Sequence, residues 1–360
     1  MTPTPKPTIA EIEPYRPGKS QAHGVARVIK LSANENALGC SPAARRAFVE
    51  AASSLHLYPD SRAAKLREAL AARHDIASER IVLGAGSDEI FSLACQAYLS
   101  PGDVMVQPRF AFAAWAIAAR AAGAHVVSAP EREYAVDVDA MLACVDARTR
   151  MVFVANPASP TGTSIPFADI ERLHAGLPEH VILILDGAYA EFADFDAACY
   201  WRLSGAPNVI LTRTFSKLYG LATLRVGWGY CPKPVNDALN RIRLPFNVSA
   251  PAQAAAIAAL EDAAFTARSI EHAKAGRARL AATLTEMGFV ALPATANFVT
   301  LRVPDAFRLS AADINRGLAE RGVLVRALDN YGMPDCLRVT VGDDVAMSAF
   351  DAALRSLLGA

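Results

Sequence analysis

Three uniformly apolar runs constrain this chain more than any other feature. Met151–Val152–Phe153–Val154–Ala155, Val181 to Leu185 and Val209–Ile210–Leu211 each read as a short buried strand. Each gives way to polar residues: Asn156, Asp186, and the segment Thr214 to Lys217. Strands this apolar are covered on both faces, and their alternation with helical stretches predicts an α/β fold with a mostly parallel sheet. Ligands bind such sheets outside the carboxyl ends of the strands. An amide, a carboxylate and a lysine are therefore expected along one edge.

Upstream, strands are expected at Ile81–Val82–Leu83, Val104–Met105–Val106 and His125–Val126–Val127, with a helix from Phe110 to Ala122 and a helical turn or two from Asp139 to Cys144. The Ile81 run leads into GAGSDE (Gly84–Glu89), where Ser87 can cap a helix whose Ile90, Phe91, Leu93, Ala94, Ala97 and Tyr98 share one face. Glycines entering a helix start offer free N–H groups and a helix dipole to an anion. The stretch does not complete G-x-G-x-x-G, because Glu89 stands where the last glycine belongs. Before it, KLSANENALGCSP (Lys30–Pro42) reads as a loop ending in a Ser41 cap with Pro42 in first position. Asn34, Glu35 and Asn36 there either face a ligand or satisfy their own backbone.

The stretch TFSKLYGLATLRVG (Thr214–Gly227) sets Thr214, Ser216 and Lys217 eight residues or more ahead of Arg225. One lysine among hydroxyls with an arginine nearby suits a phosphorylated aldehyde: the amine forms a Schiff base and the others bind phosphate. Read alone, it is equally an ordinary surface loop after a strand.

The chain's 360 residues are too many for one core, and the composition changes near Pro251. An Ala-rich helical stretch, broken by at most one bend, runs to about Met287. Short strands follow near Phe298–Arg302, Val323–Arg326 and Leu337–Val341. The expected organisation is an arm at 1–35 packing on the second unit, a large α/β domain at 36–250 and a smaller α+β domain at 251–360. Balanced charge, 36 basic against 36 acidic residues, gives no reason to expect nucleic acid or an anionic membrane as partner. Six scattered cysteines (Cys40, Cys95, Cys144, Cys199, Cys231, Cys336) contain no C-x-x-C pair, so neither a disulfide framework nor a metal site is expected, and the cytoplasm is the expected compartment. The proline-rich N-terminus does not read as a secretory signal, and the apolar Phe110–Ala119 meets Arg120 long before it could cross a bilayer.

With these pieces assembled, the sequence resembles the histidinol-phosphate aminotransferase family of fold-type I pyridoxal-phosphate enzymes. The resemblance runs over nearly the whole chain: PYRPG (Pro14–Gly18), KLSANENALG, LYPD (Leu57–Asp60), GAGSDE, NPASPTGT (Asn156–Thr163), LDGAYAEF (Leu185–Phe192), RTFSKLYGLATLRVGW (Arg213–Trp228), PFNVS (Pro245–Ser249), ANF (Ala296–Phe298) and LRVTVG (Leu337–Gly342). It implies that Lys217 holds pyridoxal 5′-phosphate covalently, Asp186 pairs with the pyridine nitrogen, Tyr189 donates to the ring's phenolic oxygen, and Phe110 stacks on the ring. It implies a phosphate site of Ser87, Asp88, Ser216 and Arg225 with Thr214 close by, reached by Tyr58 from the partner of a homodimer. Arg338, Arg326, Asn34 and Tyr15 are implied around small-molecule substrates, an amino donor and a 2-oxo acid.

The implied reaction is transamination between L-histidinol phosphate and 2-oxoglutarate. Aromatic amino acid transamination, decarboxylation of a phosphate-ester amino acid, and a non-catalytic cofactor-binding domain are the alternatives. Four positions depart from the family pattern: Ala37 for proline, Ser159 for the asparagine expected at the phenolic oxygen, Gly187 for glutamate, and Thr223 for Gly or Ala.

Overall fold

The structure, a computed structural model, describes residues 3–21, 24–25, 27–193 and 197–359. Its centre is a seven-stranded sheet in the order Ile81–Gly84, Gly227–Tyr230, Val209–Thr214, Ile182–Asp186, Thr149–Ala155, Val104–Pro108, His125–Ala129. All pairings are parallel except those of Gly227–Tyr230, which runs against both neighbours. That strand, GWGY, escapes sequence reading because its two glycines dilute the apolar signal.

The apolar runs are covered on both faces, as their composition requires. Val152, Val154, Leu183, Leu185 and Leu211 enter one core, while Met151, Phe153, Ile182, Ile184 and Ile210 enter the other. Each such fully buried side chain contributes about 1.5–3 kcal/mol. On the second side, Trp115 stacks on Phe153 at 5.1 Å and Phe91 meets both edge-on, which anchors the helices Ser87–Tyr98 and Ala113–Ala122.

The Ala-rich stretch is two helices, Ala250–Glu261 and Ala263–Glu286. Asp262 divides them: one of its oxygens caps Phe265 N at 3.0 Å and the other accepts from Ser41 Oγ, which itself caps the helix Pro42–Ala51 as expected. The first helix packs on Pro42–Ala51 and Ala64–His74, and its Ala252, Ala255, Ala256 and Ala259 belong to the core under the large sheet. Small side chains on one face permit that close approach.

Beyond it lies a four-stranded antiparallel sheet in the order Val290–Ala291, Phe298–Arg302, Cys336–Thr340, Arg326–Ala327. The arm contributes Ile29–Lys30, which pairs in parallel with Val323–Leu324. The run expected as one strand over Val323–Arg326 is thus divided between two pairings. Five cysteines are free, and the side chain of Cys199 lies outside the described residues. No helix among the described residues is long and apolar enough to cross a membrane.

Candidate active site

The carboxyl ends of the central strands open into a cavity of about 220 Å³. Asp186 is the last residue of its strand and lines the cavity, buried at 5% exposure. Ala188 N–H (3.0 Å) and the Thr212 hydroxyl (3.2 Å) both donate to Asp186 Oδ1. Burial outweighs these donors and pushes the carboxyl up to about 6.

Lys217 follows the neighbouring strand, and its Nζ donates to Ala33 O at 3.1 Å from a position 5.7 Å over the Tyr189 ring. Thr214 Oγ1 accepts from Ser216 N (3.1 Å), which curls the backbone so that Ser216 and Lys217 both line the cavity.

The helix Ser87–Tyr98 starts against the same edge. Gly227 makes this possible, since a Cβ there would lie 2.2 Å from Ser87 N. Gly86, at φ +86°, is the residue before the helix, and Ser87 is its first residue rather than its cap. The Ser87 hydroxyl is therefore not spent on the helix, and it lines the cavity. Glu89 pins the loop from behind, accepting from Ala85 N and from Asn247 Nδ2 (2.8 Å). Arg225 closes this end: Nη1 donates to Ser216 Oγ (3.2 Å) and Nη2 meets Asp88 Oδ2 at 3.1 Å. A helix start, two hydroxyls and a guanidinium here form a phosphate-sized anion site.

The opposite wall comes from the smaller sheet and the arm. Arg338 and Arg326 are cross-strand neighbours, both buried and both lining the cavity. Arg338 donates to Ser159 Oγ (3.2 Å) and Ser32 O (3.1 Å), and its Nε is buried with no acceptor among the described residues. Arg326 donates to Arg16 O and Asn330 Oδ1. Neither has a carboxylate within ion-pair distance among the described residues. Among the described residues, Arg326 makes no surface ion pair, the ordinary fate of such an arginine.

Of the residues singled out in the sequence, thirteen meet in this cavity: Tyr15, Asn34, Ser87, Asp88, Ser159, Asp186, Tyr189, Thr214, Ser216, Lys217, Arg225, Arg326 and Arg338. Phe110 does not. Its ring stacks on Tyr134 at 5.6 Å and packs with Leu328, Met333 and Cys336. The phenylalanine on the cavity wall is instead Phe112, the residue before the helix Ala113–Ala122, with Tyr15 edge-on to it at 6.0 Å. The helix begins three residues later than Phe110, and that offset decides which phenylalanine faces inward.

Asn156 is also elsewhere employed: its amide exchanges two 3.0 Å hydrogen bonds with the Ile165 backbone. Tyr58 lies outside the cavity, 82% exposed and stacked on Phe246 at 4.6 Å. At Gly187 the Arg213 guanidinium occupies the side-chain space, 2.2 Å from where a Cβ would stand, and donates to Gly187 O (3.1 Å). Thr223 is exposed. Of the cavity residues given no role from the sequence, Ser32 and Ala33 sit within KLSANENALG and contribute backbone carbonyls, to Arg338 and Lys217, while Tyr331 lies in no motif.

Comparison with known proteins decides the family. Residues 26–354 match the aminotransferase class I and II family. The chain belongs to this family. Histidinol-phosphate aminotransferase of Ruegeria pomeroyi is 48% identical over 98% of this chain and 97% of that protein. Histidinol-phosphate aminotransferase 1 of Caulobacter vibrioides is 47% identical over 99% of both chains. Among solved structures, histidinol-phosphate aminotransferase from Sinorhizobium meliloti in complex with pyridoxal-5′-phosphate superposes with a TM-score of 0.85 at 27% identity, covering 92% of each chain. The chain thus shares its overall fold with solved class I and II aminotransferases.

Proposed function

We propose that this aminotransferase carries pyridoxal 5′-phosphate and moves the amino group of L-histidinol phosphate to 2-oxoglutarate, yielding imidazole-acetol phosphate and glutamate in histidine biosynthesis. The relatives' activities support the reaction, and one observation in the cavity carries the substrate class. Arg326 and Arg338 line the same cavity as Lys217, and neither has a carboxylate within ion-pair distance among the described residues. A phosphate monoester or a dicarboxylate answers that arrangement, and both proposed substrates bring one.

The cofactor, when bound, supplies an electron sink for the pair left as the α-proton departs. The residues present fit it. Asp186 sits buried with one oxygen satisfied by two donors, which suits a cationic ring nitrogen beside it. Arg225, Ser216, Ser87 and the helix start hold its phosphate, and Thr214 shapes that turn. Phe112 covers one ring face. Lys217 Nζ would hold the cofactor's aldehyde carbon, and its free amine would serve as the base for the substrate's α-proton. Tyr189 would donate its O–H to the ring's phenolic oxygen. Arg338 and Arg326 hold the substrate anion, with Tyr15 from the arm bordering the same space.

We also read the protein as a cytoplasmic homodimer. Tyr58 projects from a surface bearing exposed Leu55, Leu57 and Leu244, an apolar face of the kind that copies of a chain cover for each other. From there Tyr58 reaches the partner's phosphate site.

A donor panel tests the reading: histidinol phosphate, phenylalanine, tyrosine and threonine phosphate, each with 2-oxoglutarate, following glutamate and carbon dioxide. Histidinol phosphate is expected to give the highest kcat/KM with no carbon dioxide. Faster turnover of an aromatic amino acid, or carbon dioxide from threonine phosphate, would overturn it.

A further inference from the structure

Asn34 lies in the loop after the arm strand, 1% exposed, with its backbone in the left-handed region at φ 59°. Asparagine tolerates that conformation better than most residues. The loop is held by Asn297, whose Nδ2 donates to Asn34 O at 3.1 Å, and by Thr340 on the strand Cys336–Thr340. Thr340 Oγ1 makes two contacts with Asn34, accepting from its backbone N (3.0 Å) and donating to its Oδ1 (3.0 Å).

Those two contacts settle the orientation of the amide. A buried threonine hydroxyl has one proton and needs one acceptor, and only Oδ1 of the amide can serve. With Oδ1 turned to Thr340, Nδ2 faces Tyr189 and donates to its phenol oxygen at 2.8 Å. A phenol that already receives a hydrogen bond there keeps its own proton for another acceptor. Among the described residues the protein offers none, and the Tyr189 ring is held edge-on by Phe298 at 5.4 Å on the cavity wall.

We propose that Asn34 is a positioning residue for Tyr189: locked by Thr340, its amide directs the Tyr189 O–H into the cavity, as a donor to the cofactor's phenolic oxygen. With the amide reversed, Tyr189 would donate to Asn34 Oδ1 and be lost to the cofactor. Thr340 is two residues from Arg338 on the same face of one strand. The element that bears the substrate-anion arginine is therefore also the element that sets the tyrosine's proton.

This rests on the proposed placement of Tyr189 beside the cofactor, so the experiment separates the two ideas. The bound cofactor's absorbance is titrated with pH in the parent, Tyr189→Phe, Asn34→Ala, Thr340→Val and the double variant Asn34→Ala/Tyr189→Phe. A donor to the phenolic oxygen lowers the midpoint, because it draws charge from the oxygen that holds the imine proton. Tyr189→Phe is expected to raise the midpoint by about one pH unit, the scale of one hydrogen bond. Asn34→Ala and Thr340→Val are expected to raise it in the same direction, and Asn34→Ala to add nothing when Tyr189 is already phenylalanine. No shift in Tyr189→Phe would refute the placement of Tyr189. A shift there with none in Asn34→Ala, or equal shifts from Asn34→Ala in both backgrounds, would refute the relay alone. Circular dichroism confirms that each variant is folded, and Asn34→Ser provides a second test at the same site should the alanine variant fail to fold.

Discussion

Arg326 and Arg338 stand directly opposite one another on adjacent antiparallel strands, and both face the cavity that holds Lys217. Like charges at facing positions repel, and here no carboxylate among the described residues relieves them. Their hydrogen-bond acceptors are carbonyls, an amide oxygen and the Ser159 hydroxyl, and each guanidinium also lies over an aromatic ring, Arg326 over Tyr331 and Arg338 over Phe298. Such a pair favours an anion beside it, so its placement in the lysine's cavity supports binding over a purely structural role.

Arg338→Ala is therefore expected to lower kcat/KM for both the phosphorylated donor and the 2-oxo acid by roughly 30-fold or more, the effect of losing a buried charge contact worth about 2–5 kcal/mol. Arg326→Ala is expected to act in the same direction. Steady-state kinetics of each half-reaction measures this. Unchanged KM and kcat for both substrates would reduce the arginines to packing.

The two phenylalanines of PRFAF should separate cleanly. Phe112→Ala is expected to weaken cofactor retention and alter its absorbance, while Phe110→Ala costs stability, less than the about 3–5 kcal/mol of a fully buried aromatic because Phe110 is half-buried, with the spectrum kept. Thermal unfolding and cofactor dissociation in the two variants check it. The opposite pattern would restore Phe110 to the ring.

Asp186 predicts a pH dependence. Burial lifts its carboxyl to about 6, above its value in an unfolded chain, so the charged form is disfavoured in the apoprotein. The group's penalty is fully present above pH 6 and is relieved as pH falls from about 6 towards 4. Cofactor binding should show the reverse, since a cationic ring nitrogen needs the carboxylate: affinity is expected to drop as pH falls through 6. Binding titrations from pH 5 to 8 measure it. In Asp186→Asn only the titration of the phosphate itself should survive, and an identical profile in the variant would dismiss the pairing.

Tyr58→Phe is expected to weaken cofactor retention although the residue touches nothing in its own cavity, and the protein is expected to be a dimer at assay concentration. Light scattering coupled to a cofactor-release assay reads both. A fully active monomer would end the shared-site reading.

What the sequence determined by itself was the sheet and the chemistry at its edge. Continuous apolar runs such as Met151–Ala155 can be stable only when covered on both faces, and a polar residue after each run can only emerge at a strand end. That logic located Asp186 and Lys217 from local pattern, with Arg225 singled out by its nearness to the lysine, and the family motifs added Tyr189. The tertiary structure decided everything that depends on relative placement. Whether Phe110 or Phe112 faces the cavity turns on where a helix begins, to within a residue or two, and local propensity does not resolve that. Asn156 looked equivalent to Asp186 at the sheet edge, but a backbone nine residues away claims its amide. The facing of Arg326 and Arg338 depends on strand register across a connection that local pattern cannot measure. The contact from Thr340 to Asn34 spans 306 residues of chain. Hydrogen-bond direction is a property of the closed network, because each buried group takes whatever partner the fold leaves it.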